Sequence, residues 1–186
     1  GLGDVYKRQD KRAMFFTDGQ TFEINNIGTF GEGYAVYKWS NKRSDGKSAN
    51  DATGEYVDTD VPVIRLAEVY LNYAEAVLRG GTGGDRATAL NLINELRTRA
   101  YGNTSGNITD GQLNLDFILA ERSRELYWEG TRRTDLIRFN KYTNNYNWPW
   151  KGGVQNGTSV DATKVIFPIP NNIIVINPNL TQNPGY

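Results

Sequence analysis

The sequence predicts a predominantly α-helical fold, built on one tetratricopeptide-like helical hairpin with further helices, a short β-hairpin and long loops. Three stretches lead there: residues 61–81, 85–101 and 115–129 each carry apolar side chains at helical spacing, bounded by turn formers. Alternation of the kind that marks a half-buried strand is confined to residues 22–39. With 186 residues the chain suits one domain or part of a larger one.

In order along the chain, Phe22 and Ile24, then Tyr34 and Val36 with Tyr37 and Trp39, alternate around Asn25, Asn26, Gly28, Gly31 and Gly33, which predicts an irregular hairpin. Residues 40–59, "SNKRSDGKSANDATGEYVDT", are polar and rich in turn formers, so they form a surface excursion. The clearest helix is "VPVIRLAEVYLNYAEAVLRGG". Pro62 suits its first turn, Asp58 and Asp60 favour the positive end of its dipole, and Gly80 with Gly81 stops it. Arg65, Glu68, Asn72, Glu75 and Arg79 fall at 3-4-3-4 spacing and read as one narrow wet stripe on an otherwise apolar helix.

After "GGTGG", Asp85 is placed to cap a second helix through Ala89, Leu90, Ile93, Leu96 and Ala100, ending before Gly102. One such hairpin cannot bury its own faces and needs neighbours. A third helix is predicted from about Leu115 to Glu129, started by Asp116 and stopped by Gly130, and "RRTDLIRFN" gives a shorter fourth. "KYTNNYNWPWKGGVQNGTS" reads as loop, and "VIFPIP" as extended, because proline removes a backbone donor and disfavours helix before it. The closing "NPNLTQNPGY" carries two rigid Asn-Pro steps. These lower the entropy lost on docking, so the tail is expected to lie against the body, with Ile173 to Ile176, Leu180 and Tyr186 as anchors.

Composition removes several classes of function. Twenty-one basic residues balance twenty-one acidic ones with no sustained basic block, which argues against nucleic acid as a partner. There is no Cys and no His, so thiolate zinc sites, disulfides and histidine-based general-base chemistry are excluded, and no cofactor or metal is called for. "DGKS" resembles part of a phosphate loop, but Asn41 stands where that loop needs Gly, and no apolar helix follows. Asp45, Asp51, Asp58 and Asp60 are not at calcium-loop spacing and read as solvated acids.

Two constellations remain. Glu121, Glu125 and Glu129 recur every four residues, with Arg122 and Arg124 beside them and Arg132, Arg133, Asp135 and Arg138 just after. Paired carboxylates can cleave a glycosidic bond, but only if one stays protonated near neutral pH, and neighbouring guanidinium groups work against that. The set Glu121, Arg122, Glu125, Glu129, Arg132, Asp135 and Arg138 is therefore expected to be a structural ion-pair network, with no catalytic residue among them. Separately, Tyr142, Tyr146, Trp148 and Trp150 crowd one Asn-rich loop. Such rings either seat the loop on the helices or stack on sugar faces, and Tyr146, Trp148 and Trp150 are the candidates for the second use.

"IRLAEVYLNYAEA", "ALNLINELRTRA", "ILAERSRELYWEGTRRTDLIR", "FPIP" and "NPNLTQNPGY" stand in the order found in the SusD/RagB family of outer-membrane nutrient-binding lipoproteins, which the chain resembles over Val61 to Tyr186. The resemblance implies a SusD-like helical fold and a non-enzymatic role: capture of a glycan or peptide on the extracellular face of a Bacteroidota outer membrane. It further implies a TonB-dependent SusC-like transporter as partner and a membrane attachment only through a lipidated Cys that this sequence lacks. Residues 10–186 would be the C-terminal portion of such a domain, with the upstream half and its ligand contacts missing. Residues 1–9, "GLGDVYKRQ", resemble a translated sequencing adapter and are set aside as a non-native or disordered leader. The alternatives are a helical-repeat scaffold for protein partners and a glycoside hydrolase.

Overall fold

The structure, a computed structural model, describes residues 9–43, 45–51, 53–144 and 146–186. Residues 1–8 of the expected leader lie outside the described residues. The chain divides into two compact units, one up to Gly130 and one from Thr131 onward. The first holds a two-stranded antiparallel sheet and three helices. The strands are β1 (Phe15–Phe16) and β2 (Ala35–Val36), with Phe15 opposite Val36 and Phe16 opposite Ala35. The helices are α1 (Leu66–Leu78), α2 (Arg86–Tyr101) and α3 (Leu115–Glu125). The second unit holds α4 (Arg132–Arg138) and α5 (Asn171–Ile176), with loops and short 3-10 turns between them.

α2 forms for the reasons its sequence announces. The Asp85 carboxylate accepts hydrogen bonds from the Thr88 backbone N–H (2.8 Å) and hydroxyl (2.7 Å), satisfying a donor that the first turn otherwise leaves open. Gly102 closes the other end at φ 74°, a left-handed conformation where a Cβ is penalised. The connector from α1 packs back on that helix. The Tyr73 hydroxyl accepts from Asp85 N (3.1 Å), and a Cβ on Gly84 would stand 3.0 Å from that hydroxyl oxygen and 2.9 Å from Val77.

α1 contacts both α2 and α3. Leu71 and Ala74 of α1, Ala89, Ile93, Leu96 and Ala100 of α2, and Ile118 and Leu119 of α3 form the buried core of this unit. The alanines keep the helix surfaces close, and Leu71, Ile93 and Ile118 supply the bulk, each worth roughly 1.5–3 kcal/mol when fully buried. No helix among the described residues is long and apolar enough to cross a membrane.

Four expectations are corrected. The hairpin's first strand is Phe15–Phe16, and Phe22 and Ile24 lie in the long connection to β2, which is tied by a bridge between Thr21 and Glu32, by the Glu32 carboxylate accepting from Asn25 N and Asn26 N, and by a Phe22–Tyr34 ring contact. α1 begins after Arg65, not at Pro62, because the Arg65 side chain is drawn away into ion pairs and Val61–Ile64 stay exposed outside the helix. The stripe expected to be wet is only partly so: Asn72 and Arg79 are exposed, but part of it turns toward α3. Arg122 Nη1 donates to Asn72 Oδ1 (2.7 Å) and Nη2 lies 3.7 Å from Glu68, while Glu75 is buried. α3 stops at Glu125, four residues early.

Polar groups hold much of the C-terminal tail, and of the expected aliphatic anchors Ile174 and Leu180 are half-buried. Ile173, Val175 and Ile176 form the short α5 and remain exposed. Gln182 grips Ile169 with its whole amide: Oε1 accepts from Ile169 N (2.8 Å) and Nε2 donates to Ile169 O (2.9 Å). Asn183 Nδ2 donates to Phe167 O (2.7 Å), and the Tyr186 hydroxyl donates to Ile166 O (2.9 Å) under the Lys164 ammonium, 3.7 Å from the ring centre. Substituting Gln182→Glu keeps the acceptor but sets a second oxygen against Ile169 O. The expected outcome is faster trimming of the last residues in timed limited proteolysis, with unchanged cleavage before Thr131.

Candidate functional site

The last turns of α3 drive two carboxylates inward. Glu121 is 0% exposed and Glu125 is 4% exposed, positions at which an unpaired ionised carboxylate would carry a desolvation penalty of several kcal/mol. Each is met by guanidinium groups from other segments. Glu121 Oε1 lies 2.7 Å from Arg12 Nη1, and Glu121 Oε2 lies 2.7 Å from both Arg97 of α2 and Arg124 of α3. Glu125 Oε1 is 2.7 Å from Arg65 and 2.6 Å from Arg99, and Oε2 is 3.1 Å from Arg12. Arg12 is itself fixed by the buried Asp10, through Nε to Oδ1 (2.9 Å) and Nη2 to Oδ2 (2.7 Å).

Glu129 lies beyond the helix yet joins the same cluster. Arg65 holds it by a two-point contact, Nε to Oε2 and Nη2 to Oε1, both 2.7 Å, the geometry in which a guanidinium fork and a carboxylate match best. Lys38 adds a 2.5 Å contact to Oε1. The same two cations end the helix. Lys38 Nζ donates to Glu125 O and Tyr127 O, each at 2.9 Å, and Arg65 Nη2 donates to Glu125 O (2.7 Å). Carbonyls that the last turn leaves without intrahelical donors are thereby satisfied. This explains the early stop at Glu125, which the Gly130 signal did not reveal.

Proton affinities follow from this geometry. Burial pushes the Glu121 carboxyl up, but the charges of Arg12, Arg124 and Arg97 prevail and hold it below the usual range. Burial likewise opposes ionisation of Glu125, yet hydrogen bonds from Arg65 and Arg99 hold it at about 2. Glu129 is also lowered, burial being outweighed by hydrogen bonds from Arg65 and Lys38. On Lys38 burial wins and lowers the ammonium, against the pull of Glu129. All three carboxylates are thus paired and ionised; Glu121 and Glu125 are buried, whereas Glu129 is half-buried and borders a pocket. As ionised groups held by guanidinium or ammonium partners, none is the protonated acid that glycosidic cleavage requires.

Of the other residues named for the network, Arg122 reaches α1 through Asn72 and Glu68. The second unit holds Arg132, Asp135 and Arg138. Arg138 Nη2 pairs with the buried Asp135 at 2.9 Å, and Arg132 Nη2 donates to the Tyr146 hydroxyl at 3.4 Å. Nothing in the sequence pattern singles out Arg12, Lys38, Arg97 and Arg99 as the cations that neutralise the cluster, and helical spacing puts Arg65 on the solvent stripe. No periodicity links them, because they reach α3 from 24 to 113 residues away.

The aromatic loop of the second unit is braced from beneath. Lys151 is buried, donates to Tyr146 O (2.8 Å), and stands 4.8 Å from the Trp148 ring centre. Tyr146 and Trp148 meet edge to face with centres 6.4 Å apart. Trp150 adopts φ 66° and is half-buried, so Trp148, 37% exposed, is the ring most open to a ligand. Gly157 fits closely here: a Cβ on it would lie 2.2 Å from Trp148 O. Among the described residues no cluster of carboxylates could hold a metal ion.

With this geometry in place, comparison with known proteins is decisive for family. The SusD family matches residues 4–186. The chain belongs to the SusD family. It is 43% identical over 182 residues to the starch-binding protein SusD of Bacteroides thetaiotaomicron, covering 95% of this chain and 31% of that protein. A SusD superfamily protein from Bacteroides vulgatus superposes with a TM-score of 0.68 at 29% identity, over 100% of this chain and 38% of that one. The surface glycan-binding protein A of B. thetaiotaomicron, solved with laminarihexaose, gives 0.63 at 25% identity, over 97% and 39%. The chain therefore spans about a third of the length of the relatives it matches.

Two outcomes test the charge cluster. Arg12→Ala leaves Asp10 and Glu121 buried with their main partner gone and is expected to destabilise by about 3–5 kcal/mol in urea unfolding. Because the Glu125 carboxyl is depressed from 4.5 to about 2 on folding, its contribution is fully present above pH 4.5 and disappears as pH falls toward 2. Unfolding free energy measured across that window is expected to fall with acidity, and to fall less steeply in Glu125→Gln.

Proposed function

We propose that this chain is part of a non-catalytic glycan-binding protein of the outer membrane's extracellular face, working as the surface partner of a TonB-dependent SusC-like transporter. The observation that carries this reading is the 43% identity to a starch-binding protein along 95% of the chain. The likeness to a relative solved with laminarihexaose supports oligosaccharide as the cargo class. The chemistry of the cluster agrees. Glu121, Glu125 and Glu129, the only closely spaced carboxylates that suggested hydrolysis in the sequence, are committed to holding segments together.

Within this reading Trp148, with Tyr146 and Trp150 behind it, supplies one carbohydrate contact: a flat indole on an Asn-rich loop suits the apolar face of a hexose. The test is titration calorimetry of the full chain with maltohexaose and with laminarihexaose, followed by chromatography of the recovered sugar. Binding of at least one oligosaccharide, recovered at its original length, is expected. Shortened products would overturn the non-catalytic assignment, and failure of both sugars to bind would overturn the cargo class.

A further inference from the structure

The segment that follows α3 alternates in a way the charge cluster alone does not explain. Tyr127 points inward: it is buried, stacks on Phe15 with centres 5.6 Å apart, and its hydroxyl donates to Arg12 O at 2.6 Å. Glu129 is clamped by Arg65 and Lys38. Between these two anchors Trp128 adopts φ 60° and leaves its indole 69% exposed. A left-handed conformation is disfavoured for any residue with a Cβ, and here it is borne by a bulky indole turned toward solvent.

The exposed indole borders a pocket of about 410 Å³, inside the roughly 300–1,000 Å³ range of small-ligand sites. Trp39, 38% exposed, also lines it, and its Nε1 donates to Trp128 O at 3.0 Å, tying the Trp39 indole to the Trp128 backbone. Pro62 adds apolar surface, and Asn41, Thr59 and Glu129 add polar groups. Asn41 is oriented by the polar excursion, accepting from Asp58 N (3.0 Å) and donating to Tyr56 O (3.4 Å), which leaves one amide hydrogen and one acceptor lone pair for a ligand. Thr59 Oγ1 donates to Ser40 O (3.3 Å) and keeps its lone pairs as acceptors.

We propose that the Trp39–Trp128 pocket is a binding subsite for a neutral hexose unit of an oligosaccharide, distinct from the Trp148 loop. Two indoles offer apolar faces to the axial C–H bonds of a sugar ring, while an amide, a hydroxyl and a carboxylate receive its hydroxyls. The Glu129 carboxylate on the wall selects for neutral over anionic sugars, since the cations that balance it are spent on Glu129 itself and on the end of α3. The proposal rests on the glycan-binding reading and names a site within it.

The test uses Trp128→Gly, because glycine keeps the left-handed backbone and the Trp39 hydrogen bond while removing the ring. In titrations of the full chain with maltohexaose and laminarihexaose, the sugar that wild type binds is expected to bind at least about tenfold more weakly to Trp128→Gly and to Trp39→Ala, with Trp128→Phe retaining most affinity. The melting temperature of Trp128→Gly is expected to match or exceed wild type, which separates loss of the ring from loss of the fold. Undiminished binding by Trp128→Gly alongside loss in Trp148→Ala would overturn this subsite while leaving the glycan reading intact. No binding by wild type would overturn both.

Discussion

Burial of Glu121 and Glu125 is the constraint on which the first unit depends. A helix that turns two carboxylates into an otherwise apolar interior must bring cations with it or lose their charge, and from its own turn α3 pairs Arg124 with Glu121. The rest come from residue 12, from the start of α1 and from the last turns of α2. Each pair that forms therefore fixes one segment against another. Replacing such a cluster with well-fitted apolar side chains is often neutral or stabilising, so its value here is geometric. Oily contacts would let these segments slide, whereas fork-to-carboxylate contacts fix their register.

The parts legible in the sequence are those governed by local rules. Asp85 and Gly102 bound α2 because a cap and a left-handed stop act within a few residues, and the structure places both ends where those residues stand. Glu121, Glu125 and Glu129 were legible as a charged set for the same reason. The partners of these acids were not, since Arg12 and Arg65 reach them across 109 and 60 residues with no period to betray the meeting. Where local and long-range demands conflicted, the long-range ones prevailed. Gly130 signals a helix stop, but Lys38 and Arg65 satisfy the Glu125 carbonyl and end α3 sooner. Pro62 suits a helix start, but the claim of Glu125 and Glu129 on Arg65 keeps that residue extended at the N-cap.

The aromatic residues divide along the same line. Tyr146, Trp148 and Trp150 attracted notice because they cluster in sequence. Trp39 is legible only as part of the hairpin and Trp128 not at all, since 89 residues separate them, yet a hydrogen bond joins them beside a pocket. Nothing in a one-dimensional pattern marks Trp128 as left-handed, because that conformation is imposed from either side by Tyr127 and Glu129.

That imposition links scaffold to recognition. Glu129 is held by a residue 64 positions before it and by another 91 positions before it. Tyr127 is held through the backbone carbonyl of Arg12, the residue whose side chain neutralises Glu121. The orientation of the Trp128 indole is thus a consequence of where the buried charges place their neighbours, and no loop flexibility is spent in presenting it. A sugar contact worth only a few kcal/mol cannot also supply the free energy to order a wandering ring. Building the ring into the end of a charge-locked helix removes that demand, so the ion pairs that commit these carboxylates and the ready aromatic face have one physical cause.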